Sequence, residues 1–193
     1  MRGRPSIFKE KEVLQKAQQV FWSKGFTATS LEDILQAMGM GSGSFYNAFK
    51  GGKKEVFKKA LNQRREAFKA FQEAAAVSEN PVEMIKNFYR DIAKADSSTH
   101  MKGCIIANTI VEMASLDEEL EKEAVAILKE VEQFYTETFA KAQKEGKLKT
   151  RTAPEILGRY LITLWNGINV TRRMYPDNKL LAEQIEMQLE IIN

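Results

Sequence analysis

The residues best equipped to engage another molecule fall between positions 29 and 54. Ser42-Gly43-Ser44 sets a hydroxyl on each side of a position with no side chain. Tyr46 and Asn47 follow directly, and Lys53-Lys54 come just after Gly51-Gly52. Hydroxyls and carboxamides both donate and accept hydrogen bonds, a glycine lets a backbone approach closely, and lysines neutralise phosphates. Such groups suit the reading of a surface rather than the breaking of a bond. For bond-breaking the chain supplies little: one histidine, His100, in a polar stretch, and one cysteine, Cys104. A Cys/His pair with no third group to orient it is a poor nucleophile. No Gly-rich phosphate loop follows a strand, and no Cys/His cluster has metal-ligand spacing. The expectation is a protein that is not an enzyme and that uses no cofactor and no metal.

Charge points the same way. Residues 1–60 carry eleven basic and five acidic side chains, a net +6, so the remainder sums to −3 of the total +3. A basic head on an acidic body fits contact between the head and a polyanion. The 44% hydrophobic and 28% charged content is that of an ordinary globular chain. The greasiest stretch, Cys104 to Val111, is too short to span a bilayer. The positive start, Met1-Arg2-Gly3-Arg4-Pro5, leads into no apolar segment of a secretory signal. A lone cysteine forms no intramolecular disulfide. A cytoplasmic protein without a membrane partner is expected.

Helical periodicity must position these groups, since no segment alternates at period two. Val13, Ala17, Val20 and Phe21 make one stripe, with Leu14 adjoining, and Gly25 ends that helix. Thr29 or Ser30 caps the next, with Glu32 or Asp33 three residues on completing a capping box. Leu31, Ile34, Leu35 and Met38 face one way, and Gly39 stops the run. A short helix follows over about 41–48, in which Phe45 and Phe49, four apart, anchor it to a core and leave Tyr46 and Asn47 outward. Two short helices joined by Gly39-Met40-Gly41 make a helix-turn-helix, whose second helix enters the major groove.

These residues carry a resemblance. Thr29-Ser30-Leu31-Glu32-Asp33-Ile34, Met38-Gly39-Met40-Gly41-Ser42-Gly43-Ser44-Phe45-Tyr46-Asn47-Ala48-Phe49 and Lys53-Lys54-Glu55-Val56-Phe57 are similar to the DNA-binding signature of the TetR family of regulators. The resemblance implies that Thr29, Ser42, Gly43, Ser44, Tyr46, Asn47 and Lys53 lie at double-stranded operator DNA. Ser30, Lys54 and Arg4, on the N-terminal arm, complete the expected DNA-binding set. Two departures stand out. Gly41 occupies a place where the family usually has serine, so the recognition helix has a weaker N-cap. The Lys50-Gly51-Gly52 link is one residue longer than usual, which leaves Lys53 and Lys54 as alternatives for the phosphate contact.

Past residue 52 the helices lengthen. One covers about 53–76. Asn80-Pro81-Val82-Glu83 starts another, to about Ala95. Cys104–Ala114 is compact and apolar, Asp117 opens one ending at Gly146, Thr152-Ala153-Pro154-Glu155 opens one ending near Tyr175, and the last covers about 179–191. The fold class expected is all-α: an N-terminal three-helix helix-turn-helix domain (1–52), then a helical-bundle ligand-binding and dimerisation domain (53–193), with helix 53–76 connecting them. Leu181, Ile185 and Leu189, with Ile156, Tyr160, Leu164 and Gly167 of the preceding helix, are the expected homodimer interface, Gly167 permitting a close helix crossing. Leu180, Gln184, Met187 and Ile191 lie beside that stripe. Apolar walls with a few polar groups define a small-molecule site, and the expected lining is Phe88, Cys104, Asn108, Glu112, Phe134, Tyr135, Trp165 and Asn169. The function expected is that of a repressor binding palindromic operator DNA as a homodimer and released by a small apolar or aromatic effector. The alternative is a dimer of the same kind whose body docks a protein partner. Cys104 reads either as a small hydrophobe at the pocket edge or as a thiol sensor.

Overall fold

The computed structural model describes residues 10–95, 102–175 and 177–193. Among these residues there is no strand, and nine helices follow in order: α1 (Glu10–Lys24), α2 (Leu31–Met38), α3 (Ser42–Ala48), α4 (Gly52–Ala76), α5 (Pro81–Ile92), α6 (Ile105–Met113), α7 (Glu118–Lys144), α8 (Pro154–Thr171) and α9 (Asn178–Leu189). The all-α expectation holds. Arg4, His100 and Pro176 lie outside the described residues. No helix among the described residues is long and apolar enough to cross a membrane.

The chain forms two compact units, one ending at Arg65 and one beginning at Glu66. The division falls inside α4 rather than at the glycines before it. Its first half carries Val56, Phe57, Ala60 and Leu61, all fully buried. Phe57 meets Phe21 edge-on at 4.8 Å and Phe26 at 4.9 Å. The buried Gln18 donates to the Ala60 carbonyl at 2.8 Å. The first half of α4 is therefore core to the N-terminal unit.

Helix starts follow the cap chemistry. Ser30, not Thr29, caps α2: its Oγ accepts from Asp33 N at 3.1 Å, and the Asp33 carboxylate accepts from Ser30 N at 2.9 Å. Asn80 caps α5, Asp117 caps α7 and Asp177 caps α9. At α8 the cap position is Ala153, with no side-chain bond, and Pro154 supplies the first turn. Thr152 instead hands its carbonyl to the Gln143 side chain.

In the second unit α5, α7, α8 and α9 enclose one core containing Ile85, Tyr89, Tyr135, Phe139, Leu161 and Ile185. The Tyr89 hydroxyl, wholly buried, donates to the Leu161 carbonyl at 2.7 Å. At Gly158 a Cβ would stand 2.5 Å from Thr136 Oγ1 and 3.0 Å from the Glu132 carbonyl oxygen. Here α8 presents no side chain, and its backbone packs directly on Thr136 and the Glu132 carbonyl of α7.

Candidate nucleic-acid interface and effector region

The N-terminal unit presents α3 as a seven-residue helix held from one side. Phe45 and Phe49 are 0% exposed, 5.5 Å apart between ring centres, and they fix the helix to the core. Ser42, Gly43, Ser44, Tyr46 and Asn47 are all exposed and form its opposite face. Tyr46 rests its ring edge-on against Phe45 at 5.3 Å and keeps half of its surface exposed. The turn into the helix closes as the glycines suggest. Gly39 is left-handed (φ 66), its N–H reaching the α2 carbonyls, and Met40 N donates to the Leu35 carbonyl at 3.0 Å. Gly41 gives α3 no side-chain cap, so its first amides are left for another acceptor.

The flanking residues divide. Ser30 is exposed, its oxygen already accepting the Asp33 amide. The same Asp33 bonds Lys24 Nζ at 2.6 Å. That ammonium first, and the Ser30 amide and hydroxyl next, pull the Asp33 carboxyl down to about 2. Thr29 is 1% exposed and its hydroxyl donates to the Gly25 carbonyl at 2.6 Å. It closes the α1–α2 turn and is buried, where the other expected DNA contacts at the start of α2 and in α3 are exposed. Lys53 and Lys54 occupy the first turn of α4, both half-buried, and Lys53 Nζ stands 4.4 Å over the Phe26 ring. Gly52, just ahead of them, has φ 61 and packs near the Tyr46 ring.

In the second unit the expected effector residues separate into three groups. Phe88, Phe134 and Trp165 join an aromatic chain through Phe71, a residue the sequence reading did not include: Phe71 lies 5.8 Å from Phe88 and 6.0 Å from Phe134, and Phe88 lies 5.3 Å from Trp165. Phe88 keeps 39% of its surface exposed. Tyr135 is buried behind them against Tyr89, and burial pushes its phenol up to about 12. The second group gathers at the end of α8. Asn169 is buried, donating to the Trp165 carbonyl at 2.7 Å and accepting from Arg172 Nη2 at 2.7 Å. Gly103 packs on it, and Cys104 follows, buried, its sulfur accepting the Ala107 amide at 3.5 Å. The third group stands apart. Asn108 is exposed and its amide nitrogen donates to the Lys102 carbonyl at 3.2 Å. Glu112, one turn on, is half-buried. Asn108 is thus a backbone-capping residue on the outer side of α6.

The last two helices shift the expected apolar face by one residue. Leu164, Leu181, Ile185 and Leu189 are buried in the core of the single chain. The stripe left outward on α9 is Leu180, Gln184 and Met187, with Ile191 just past its end, and on α8 it runs from Ile156 through the half-buried Tyr160 to Gly167 and Val170, with Met174 beyond. A Cβ at Gly167 would meet nothing within 4 Å. The close crossing within the chain is made by Gly158 instead.

Both units match known families in order along the chain. Residues 13–60 match the family described as bacterial regulatory proteins, tetR family, and residues 81–187 match the tetracyclin repressor-like C-terminal domain. The repressor DhaR of Mycobacterium sp. (strain GP1) is 25% identical over 186 residues, covering 92% of this chain and 90% of DhaR. The repressor ComR of Escherichia coli is 25% identical, covering 89% of this chain and 83% of its own. Among solved structures, a cysteine mutant of CifR in complex with 26-bp double-strand operator DNA superposes with a TM-score of 0.83 at 22% identity, over 99% of this chain and 100% of that one. Taken with the exposed, doubly anchored α3 and the all-helical second unit, these matches place the chain in the TetR family of bacterial regulatory proteins.

Proposed function

We propose that this protein is a transcriptional repressor that binds palindromic operator DNA as a homodimer and is released by a small, mainly apolar or aromatic effector. The observation that carries the reading is the face of α3. The surface positions Ser42, Gly43, Ser44, Tyr46 and Asn47 offer only small or hydrogen-bonding groups, and the two phenylalanines that anchor the helix, Phe45 and Phe49, are wholly buried. A helix of that profile fits a major groove, which admits one helix and rewards short polar side chains at its N-terminus. Ser42, Gly43, Ser44 and Asn47 meet base edges. Tyr46, Ser30 and the lysine pair Lys53 and Lys54, with Arg4 on the arm, meet phosphates. CifR bound to operator DNA supports the reading by its likeness in fold. Work on operator DNA puts the protein in the cytoplasm.

The dimer in this proposal forms through the outward stripes of α8 and α9, centred on Gly167, Val170, Leu180 and Met187. Two such hairpins related by a two-fold make a self-complementary interface. The effector enters beside the aromatic chain of Phe88, Phe134 and Trp165, near Asn169 and Cys104.

Selection of duplexes from a random pool tests the reading. Palindromic sites should emerge, bound with a slope of about −0.9 in log K against log salt for each phosphate neutralised. Ser44→Ala should alter the preferred sequence, and Tyr46→Phe should weaken all sequences alike. Binding that is indifferent to sequence and to salt would refute it. Sedimentation of Met187→Glu checks the dimer: the variant should run as a monomer at concentrations where the parent is dimeric.

A further inference from the structure

Three buried side-chain atoms among the described residues have no hydrogen-bond partner: Asn166 Oδ1, Gln188 Oε1 and Arg172 Nε. Two are neutral amide oxygens beside the outward stripe of α8 and α9. The third is a donor on a permanently charged group. Arg172 is 5% exposed. Its Nη2 donates to Asn169 Oδ1 at 2.7 Å, and no carboxylate pairs with it among the described residues. Burial lowers its pKa from the ordinary value; Cys104 works against that shift, and Arg173, of the same sign, adds to it. A buried, unpaired cation is costly to keep. Its place at the C-cap of α8 puts it at the negative end of a helix. That field alone is served equally by an exposed lysine and does not require a buried guanidinium with an open donor.

The surroundings give the open donor a use. Trp165, Asn169 and Arg172 lie at i, i+4 and i+7 on one face of α8. Asn169 bonds both neighbours, and the guanidinium folds back along the helix toward it. Trp165 is half-buried and backs onto the partly exposed Phe88. Seven residues of helix span about 10 Å. An aromatic wall at one end and a fixed cation at the other complement an amphiphile of that length. Building on the effector-release reading above, we infer that the effector carries a carboxylate, and that Arg172 binds it through Nε while Phe88 and Trp165 hold its apolar body. Asn169 acts as a positioning residue, holding Nη2 so that the edge bearing Nε faces the ligand.

The test uses the full chain with Trp22→Phe, which leaves Trp165 as the sole tryptophan. The probes are 4-phenylbutanoate and its primary amide, titrated at matched ionic strength and followed by Trp165 fluorescence. The acid should bind roughly tenfold or more tightly than the amide, the margin of one charge-assisted contact. Arg172→Met should erase the difference, and Arg172→Lys, which keeps the charge without the fork, should retain part of it. Equal binding of acid and amide, no response to either, or an acid preference that survives in Arg172→Met overturns the inference. The comparison in the parent protein decides the matter even where a variant fails to fold. Operator release is read separately. An acid preference without release keeps the anion site and removes effector control. Equal release by acid and amide keeps effector control and removes the role of Arg172.

Discussion

The two units treat buried polar groups in opposite ways. Among the described residues of the N-terminal unit each buried polar side chain is satisfied at home: Gln18 reaches the Ala60 carbonyl and the Gln63 side chain, and Thr29 reaches the Gly25 carbonyl. In the C-terminal unit three side-chain atoms end without a partner. The first unit is finished as a single chain, as a rigid reader of DNA should be, because a misplaced recognition helix loses its contacts. The second carries open valences where another molecule is expected, along the outward stripe of its last helices and at the end of α8.

The largest expected effect tests the finished unit. Phe49→Ala should cost about 3–5 kcal/mol, the loss of a fully buried phenyl, and remove operator binding with it. Thermal melting with a gel-shift assay reads both, and near-parental stability would show that α3 is not held by this anchor. Next comes a matched pair that bears on the contrast itself. Gln18→Met removes a buried hydrogen bond to the Ala60 carbonyl, which keeps its helical bond, and should cost about 1 kcal/mol. Gln188→Met removes an oxygen that has no partner within the chain, so protomer stability in denaturant should change little. Equal losses in the pair would erase the distinction between the units. A smaller effect is expected at the α2 cap, where Ser30→Ala should cost about 1 kcal/mol while Thr29→Ser, which keeps the bond to Gly25, costs less. The smallest is a pH effect at the same cap. The carboxyl of Asp33 is held down at about 2, so its contribution is complete above the ordinary value near 3.8 and fades as pH falls toward 2. An NMR titration should show the Ser30 amide moving in that window. Movement centred at the ordinary carboxylate value would mean that Lys24 and Ser30 do not hold it.

Much of the reader was legible because its signals are local. Phe45 and Phe49 at a spacing of four dictate which side of α3 is inward, and Gly39 fixes the turn. Thr29 and Ser30 show where locality ends, since both are competent caps. The choice depends on the Gly25 carbonyl being within reach of one hydroxyl and the Asp33 amide within reach of the other. In the second unit the limit is symmetry of composition. In the C-terminal segment the stripe Leu181, Ile185 and Leu189 and its neighbour Leu180, Met187 and Ile191 are equally apolar, and periodicity alone does not say which one the chain's own core takes. Asn108 misled for a related reason: a polar residue on an apolar helix lines a pocket or caps a nearby carbonyl, and only the position of Lys102 decides. Arg172 sits beside Arg173 and ahead of Met174-Tyr175, and a pair of arginines after an apolar helix reads as a solvated end. Its burial comes with a tertiary contact that no local pattern announces: Gly103 packs against Asn169 and Arg173 on either side of it.

Gly158 carries a consequence for how the body can move. Where a glycine of one helix packs directly on the backbone and a short threonine of the other, little compressible material lies between them. A Cβ there would already intrude on Thr136 and on the Glu132 carbonyl, so α8 has no room to advance toward α7 at that level. A rigid α8 held at this contact would turn about it, as a rod turns on a pivot. Small displacements at one end of such a rod appear at the other with opposite sense, and their ratio is set by the two lever arms on either side of residue 158. Arg172 lies on the long arm and Pro154 on the short one.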